Sequence, residues 1–198
     1  ANNTIYGTEW QYIPDTGSVP LVCDMSSDFL SRTVDVSRYG IIYGGAQKNL
    51  APAGLTVAIV RDDLLGGELP YTPLMMSYKR MADKDSMYNT PPCWCIYMLG
   101  LVLEWLEGCG GVEGMEKRKH AKAALLYDVL DDSRLFTCPA QPGSRSDMNV
   151  TFRTADPGLD AKFVAEAAQA GFANLKGHRL VGGMRASIYN AMPAKGVD

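Results

Sequence analysis

The chain has 198 residues, of which 46% are hydrophobic and 21% charged, and its formal net charge at pH 7 is -3. This composition is typical of a globular protein and argues against a disordered segment or a collagen-like repeat. The weakly negative charge provides no basic field for nucleic acid. The longest apolar run, near residues 95–103, is well short of the roughly 20 residues that span a bilayer.

The cysteines indicate the cellular compartment of the protein and do not indicate a metal site. Their positions are Cys23, Cys93, Cys95, Cys109 and Cys138. An odd number of cysteines without a regular framework predicts reduced thiols in a cytoplasmic protein. Cys93 and Cys95 are separated by one residue, and no second Cys or His pair lies nearby, so structural cysteines are favoured over a metal site.

Strands are predicted first along the chain. Residues 20–24 form a short apolar run that ends on Asp24, and residues 40–44 follow the same pattern. Residues 55–61 are rich in β-branched side chains, which favour strands. Because these runs are continuously apolar rather than alternating, they suit a sheet that is covered on both faces.

Two long helices are predicted next. The first covers residues 93–107, between a Pro-Pro pair and a glycine cluster, and the second covers residues 112–131. The second helix contains the basic run Lys117-Arg118-Lys119, which is interpreted as a solvated face. His120, beside that run, is interpreted as solvated too.

A smaller α/β unit closes the chain. After a Pro- and Gly-containing loop, the sequence predicts a strand over residues 148–153 and a helix over residues 159–172. Two further short strands are predicted near Asn174 and over residues 184–188. The chain as a whole is therefore predicted to belong to the α/β class.

Asp24 and Lys48 are the first candidate functional residues. Lys48 lies among small residues in the run Gly44-Gly-Ala-Gln-Lys-Asn49, between two predicted strands. A lysine that forms an imine must be partly desolvated, and small neighbours leave room for an adduct. A strand-end acid such as Asp24 can keep the ring nitrogen of an aldehyde cofactor protonated. On spacing alone, a strand-end acid and a surface lysine are the simpler interpretation.

Longer blocks of sequence change that interpretation. The chain closely resembles the phosphoserine aminotransferases, which are class V aminotransferases with the type I pyridoxal-phosphate fold. The resemblance is carried, in family order, by residues 22–32, 35–40, 43–49, 52–56, 59–66, 87–92, 100–105, 175–179 and 182–191. It implies the rear part of a large mixed-sheet cofactor domain over residues 1–110. A small C-terminal α/β domain, incomplete at its end, is implied over residues 111–198.

The resemblance also implies a pyridoxal 5′-phosphate site. Lys48 matches the lysine that forms the imine with the cofactor and then moves the substrate proton, and Asp24 matches the partner of the pyridinium nitrogen. The other implied cofactor ligands are Thr4 for the phenolic oxygen, Gln47 for the phosphate, and Asn89 with Thr90 for the phosphate in the neighbouring subunit. The family usually has Glu where this chain has Asn3, which weakens the local match around Thr4.

Three basic residues near the end of the chain are the candidate substrate ligands. An arginine fork holds a carboxylate in two charge-assisted hydrogen bonds, and a phosphate also favours arginine with histidine as an extra donor. The resemblance assigns Arg185 to the substrate α-carboxylate. It assigns His178 and Arg179 to the substrate phosphate or to the side-chain carboxylate of glutamate.

The implied activity is transamination between L-glutamate and 3-phosphohydroxypyruvate by a ping-pong mechanism in serine biosynthesis. The implied assembly is a homodimer whose sites are shared across the interface. Another class V enzyme, or an inactive fragment that serves only as an interaction piece, remains an alternative. Because subunits of the family are nearly twice this long, a preceding segment is expected either in another chain or in a longer polypeptide. The 198 residues alone are not expected to be competent.

The sequence leaves the role of two serines close to Asp24 undecided. Ser26 and Ser27 follow the acid almost directly and would either hydrogen-bond it, line the site or form a turn.

Overall fold

A computed structural model describes residues 1–198, and its first half builds a small mixed sheet. The chain starts with a hairpin of β1 (Asn2–Asn3) and β2 (Thr8–Glu9). β3 (Val22–Asp24) then pairs in parallel with β4 (Ile41–Gly45), and β4 pairs in antiparallel fashion with β5 (Thr56–Val60). The three strand predictions in this half are confirmed.

The burial of this sheet differs from the prediction. Along β4, Ile42 and Gly44 are buried, whereas Ile41 and Tyr43 are only half-buried. On β5, Ile59 is 40% exposed. The prediction of a sheet covered on both faces is therefore wrong within these 198 residues, because the sheet packs on a core that covers only part of it.

Two long helices follow a short one, α1 (Tyr78–Ala82). α2 (Cys93–Gly108) begins after the proline pair, and α3 (Gly111–Asp132) begins directly after a glycine turn. Gly110 has a positive φ of 92°, which permits the sharp change of direction between the helices. Both helix predictions are confirmed.

No single helix is long and apolar enough to cross a membrane. α2 and α3 meet the length and hydropathy criteria only when they are taken together, and the pair is bent by 80°.

The last third of the chain is a small α/β layer. β6 (Asn149–Phe152) pairs in antiparallel fashion with β7 (Met184–Ser187), and α4 (Pro157–Gln169) connects them. The strand predicted near Asn174 is wrong. Asn174 has a left-handed φ of 62°, which interrupts an extended backbone, and only one isolated bridge, between Lys176 and Met184, forms beyond it.

Two separate hydrophobic clusters support these two regions. The first lies under β3 and β4 and consists of Cys23, Met25, Phe29, Tyr39, Ile42, Ala46 and Leu50. The second lies between α3 and the β6–β7 pair and consists of Ala123, Tyr127, Leu130, Val150, Phe152, Met184, Ala186 and Ile188. A division into two domains near residue 110 stays a prediction.

The basic run of α3 is not simply a solvated face. Met115, Lys119, Lys122 and Ala123 follow one another at helical spacing and lie on the buried side of the helix. Lys119 is 1% exposed, and its Nζ lies 3.2 Å from Glu9 Oε1 and 3.6 Å from Asp147 Oδ2. The interpretation of the whole run as solvated is therefore wrong for Lys119.

His120 takes part in the same ionic cluster. Its ring remains more than half exposed, but its Nδ1 lies 2.6 Å from Asp147 Oδ2. Burial raises the pKa of Asp147, while the nearby charges of Lys119 and His120 act in the opposite direction. The interpretation of His120 as merely solvated is therefore incomplete.

Candidate active site

Lys48 lies in the turn that follows β4, where it meets the turn of the N-terminal hairpin. Its Nζ donates a hydrogen bond of 3.0 Å to the Oγ1 of Thr4, which lies between β1 and β2. Both side chains are half-buried. The two residues are separated by 43 others in the sequence, and the structure brings their functional atoms into direct contact.

Asp24 is held by Ser26 at the end of β3. The backbone N–H and the hydroxyl of Ser26 both donate to Asp24 Oδ1, at 2.8 and 2.6 Å. The Ser26 hydroxyl also accepts a hydrogen bond of 3.0 Å from the backbone N–H of Gly45, on the strand that leads to Lys48. Hydrogen bonding to Asp24 is therefore confirmed for Ser26, and the turn interpretation is confirmed for both Ser26 and Ser27, whose hydroxyl bonds Asn2 instead. Asp24 Oδ2 makes no hydrogen bond and remains available to a ligand.

The glycines before Lys48 have a packing role. A Cβ on Gly44 would lie 2.9 Å from the Phe29 ring and 3.2 Å from the backbone of Ser26. A Cβ on Gly45 would lie 2.7 Å from Oε1 of Gln47, whose own position is exposed beside Lys48. The small residues around Lys48 therefore let Ser26 and Gln47 approach the strand closely.

Arg185 reaches the same site from β7. Its Nη1 donates to the backbone carbonyl of Thr4 at 3.3 Å. Its Nε is buried and has no hydrogen-bond partner. A buried guanidinium nitrogen without a partner is costly, so this donor is suited to an acceptor supplied by a ligand. Thr4 thus contacts Lys48 through its hydroxyl and Arg185 through its carbonyl, a double role that the sequence did not reveal.

His178 lies close to Arg185 in a tight loop. The two residues line one small cavity of about 20 Å³. Gly177 N–H donates to the Gly183 carbonyl at 2.9 Å, and a Cβ on Gly177 would overlap the carbonyl oxygen of Gly182. The loop is also fixed by the backbone N–H of Leu180, which donates to His178 Nδ1 at 3.3 Å.

Three predicted residues are not brought to this centre. Arg179 is exposed and does not line the cavity shared by His178 and Arg185. Asn89 and Thr90 are also exposed, and the only polar contact of the Asn89 side chain is to the Thr90 carbonyl at 3.2 Å. The chain therefore joins Thr4, Asp24, Gln47, Lys48, His178 and Arg185 into one region and leaves Asn89, Thr90 and Arg179 facing outward.

Comparison with known proteins places this arrangement in a family. A curated phosphoserine aminotransferase of Laribacter hongkongensis is 59% identical over all of this chain and 55% of its own length. The solved phosphoserine aminotransferase of Bacillus circulans subsp. alkalophilus superposes with a TM-score of 0.96 at 49% identity, over 99% of this chain and 55% of that one.

A second solved relative is described as bound to its cofactor. The PLP-bound phosphoserine aminotransferase of Trichomonas vaginalis superposes with a TM-score of 0.95 at 40% identity, over 100% of this chain and 56% of that one. The chain thus spans about 55% of the length of the relatives it matches. The family model described as aminotransferase class V matches residues 1–198. The chain therefore belongs to the class V aminotransferase family and has its type I fold.

Proposed function

We propose that these residues form part of the active site of a pyridoxal-phosphate enzyme that transfers an amino group from L-glutamate to 3-phosphohydroxypyruvate. The products are O-phospho-L-serine and 2-oxoglutarate, a step of serine biosynthesis. The observation that carries the proposal is the position of Thr4, which contacts both Lys48 and Arg185. The Lys48 amine, which is the candidate catalytic group, and the Arg185 guanidinium, which is the candidate ligand of the substrate carboxylate, therefore both contact Thr4. The names of the relatives support the choice of substrates.

The residues present fit pyridoxal 5′-phosphate. Asp24 offers a free carboxylate oxygen for a protonated ring nitrogen, because Ser26 occupies only the other oxygen. The Thr4 hydroxyl lies beside the Lys48 amine, as required for a ligand of the phenolic oxygen, and Gln47 is exposed next to it as a ligand of the phosphate. When bound, the cofactor supplies an electron sink for the carbanion that forms at the substrate α-carbon.

The side chains have separate tasks in this proposal. With the cofactor bound, Lys48 would take the proton from the α-carbon of the amino donor and pass it to C4′ of the cofactor, and in the second half of the ping-pong cycle it would move a proton from C4′ to the α-carbon of the new amino acid. Arg185 binds the α-carboxylate of each substrate, since its unpartnered Nε is a donor without an acceptor. His178 would bind the second acidic group, either a phosphate or a side-chain carboxylate, and Arg179, which is exposed in this chain, would join it once residues outside this sequence complete the site. Both substrates are acidic at each end, so the same two subsites serve both halves of the reaction.

The outward-facing residues belong to the proposed assembly. Asn89 and Thr90 would reach the cofactor phosphate of a neighbouring subunit in a homodimer, which accounts for their exposure in a single chain. Residues 1–110 would belong to a cofactor domain and residues 111–198 to a small domain. Since the chain spans about 55% of its relatives, we propose that the active unit includes residues outside this sequence. The five unpaired cysteines support a cytoplasmic location.

The proposal is tested with the purified product of the complete gene. We expect O-phospho-L-serine to form from L-glutamate and 3-phosphohydroxypyruvate, measured by mass spectrometry. L-Alanine with glyoxylate and L-cysteine alone are the comparison substrates, chosen to detect another class V activity. Faster turnover of either comparison substrate would overturn the assignment, and no turnover of any of them would favour an inactive interaction piece.

Ser26 provides a separate test of how Asp24 is held. We expect Ser26→Ala to weaken cofactor binding about 10-fold, the low end of the range known for outer hydrogen-bonding partners of metal ligands, because Asp24 loses the hydroxyl donor and keeps the backbone donor. The dissociation constant is measured by titrating the apoprotein with the cofactor and recording its visible absorbance. Ser37→Ala is a matched control, since Ser37 makes the same two hydrogen bonds to Asp35 on the exposed surface. Equal dissociation constants for the two variants would contradict the role of Ser26.

A further inference from the structure

The segments that carry Asp24, Lys48 and Arg185 meet a second time outside the site. Asn49, directly after Lys48, donates from Nδ2 to the Phe29 carbonyl at 2.6 Å and accepts at Oδ1 from the Asn190 N–H at 3.0 Å. Asn190 donates from its own Nδ2 to the Leu30 carbonyl at 3.0 Å. We call these four residues, Phe29, Leu30, Asn49 and Asn190, the amide junction.

Each functional residue lies a short distance along the chain from the junction. Lys48 is adjacent to Asn49, Arg185 precedes Asn190 by five residues, and Asp24 precedes Phe29 by five. The β7 segment is therefore attached to the Lys48 region at two places, through Thr4 inside the site and through the junction outside it. Because β7 is attached at two places, both its orientation and its distance relative to the Lys48 region are fixed.

Two features of the junction indicate that it positions the segments it joins and does not serve mainly to stabilise the fold. Asn190 is 8% exposed, and its Oδ1 is buried without a partner. Leu30 adopts a left-handed φ of 57°, which is unfavourable for a residue with a branched side chain. An unsatisfied oxygen and a strained backbone both lower stability, and an apolar residue at 190 would avoid the first. These features are explained if the donors of Asn49 and Asn190 are needed at these points.

Lys122, on α3, binds the loop of residues 188–192 that contains Asn190. Its Nζ donates to the carbonyls of Ile188, Tyr189 and Met192 at 3.1, 2.8 and 2.9 Å. These hydrogen bonds attach residues 188–192 to α3 and make no contact with the Lys48 region. Lys122 therefore stabilises the loop without defining where Arg185 stands relative to Lys48.

We infer that Asn49 and Asn190 are positioning residues that set the placement of Arg185 relative to Lys48, and so the affinity for the carboxylate of the substrate. The inference rests on the proposed function of Lys48 and Arg185. It assigns no contact with substrate or cofactor to either asparagine. Because the segments that carry Asp24 and Lys48 are also held to each other by the pairing of β3 with β4 and by the hydrogen bond from Gly45 to Ser26, loss of the junction should affect substrate binding more than cofactor binding.

The test compares Asn190→Ala, Asn49→Ala and the double variant in the purified product of the complete gene. Glutarate, an unreactive dicarboxylate, is titrated into the cofactor-loaded protein, and the cofactor dissociation constant is measured separately on the apoprotein. We expect the glutarate dissociation constant to rise about 10-fold in each single variant, because small misplacements at an active site carry effects of this size or larger. The double variant should bind glutarate more weakly than either single variant, because Asn190→Ala removes only the hydrogen bond to Leu30 and keeps the backbone N–H that Asn49 accepts, whereas Asn49→Ala removes the other two hydrogen bonds. The cofactor dissociation constant should change less than about twofold, well under the tenfold that corresponds to 1.4 kcal/mol.

A Lys122→Met variant separates positioning from general loosening of the loop. It should lower the melting temperature while leaving the glutarate dissociation constant within about threefold of the unmodified protein, since the junction is intact. Unchanged glutarate affinity in Asn190→Ala, or an equal loss in Lys122→Met, would overturn the inference and leave the proposed function standing. If Lys122→Met does not fold, parallel losses of glutarate and cofactor affinity in the asparagine variants overturn it. Failure of the unmodified protein to bind glutarate would overturn the proposed function together with the inference.

Discussion

Replacement of Lys48 by alanine should abolish transamination and remove the visible absorbance of the bound cofactor. The variant loses both the amine that attaches the cofactor and the base that moves the substrate proton. General acid–base catalysis alone contributes about 10²- to 10⁴-fold, so we expect a loss of at least about 10⁴-fold when both roles disappear. Turnover is measured as O-phospho-L-serine formed, and attachment is measured from the absorbance spectrum and the intact mass after borohydride reduction.

The same experiment on another lysine controls for loss of charge. Lys79 is an exposed lysine that pairs with Asp83 at 2.9 Å, far along the chain from the predicted site residues. Lys79→Ala should keep full activity and the full visible spectrum. A Lys48→Ala protein that retains the visible band or the added mass after reduction would show that a different amine attaches the cofactor.

The short, locally encoded features were predictable from the sequence. Val22–Asp24 and Ile41–Gly45 are apolar runs bounded by turn residues, and the structure contains both as strands. The long helices were equally clear, because a proline pair and a glycine cluster mark their ends. Lys48 stood out by its small neighbours, although only the resemblance to a family gave it a role.

The features that depend on distant partners were not predictable from local patterns. The hydrogen bond from Arg185 to the Thr4 carbonyl joins residues 181 positions apart, and a backbone acceptor has no sequence signature. The amide junction similarly joins Asn49 to Asn190 across 141 positions. The exposed side of β5 is a related case, because composition shows that a strand is apolar but not what covers it.

The basic run of α3 shows most clearly how a tertiary contact reverses a local interpretation. Three successive basic residues suggest a surface, yet the helical period turns Lys119 inward while Lys117 remains exposed. Glu9, on β2, is 2% exposed and supplies the compensating charge. The pair therefore attaches the N-terminal hairpin, which carries Thr4, to the long helix of the small α/β region.

Lys119→Met should consequently destabilise the fold strongly, because this lysine is 1% exposed and paired with a buried carboxylate. Removing one partner of a buried ion pair lowers the free energy of unfolding by about 3–5 kcal/mol, and the low end is expected here because Arg32 remains 3.5 Å from the Glu9 carboxylate. For a protein of this size, that loss corresponds to a fall of about 10 °C in melting temperature. Thermal unfolding followed by circular dichroism measures the effect, and Lys117→Met, an exposed neighbour, should remain within about 0.5 kcal/mol.

The pH dependence and a second substitution identify the cause of this loss. Burial already raises the pKa of Asp147, and removal of Lys119 takes away a charge that lowers it. A carboxyl whose pKa is raised on folding binds more protons in the folded state, so lowering the pH through that pKa stabilises the fold. The deficit of Lys119→Met should therefore shrink as the pH falls through the raised pKa of Asp147. Adding Glu9→Gln should also recover part of the lost stability, because it removes the buried charge that has lost Lys119 and retains only Arg32, while keeping an oxygen that accepts hydrogen bonds. A deficit that is independent of pH and unchanged by Glu9→Gln would instead mean that Lys119 contributes through packing of its methylene chain.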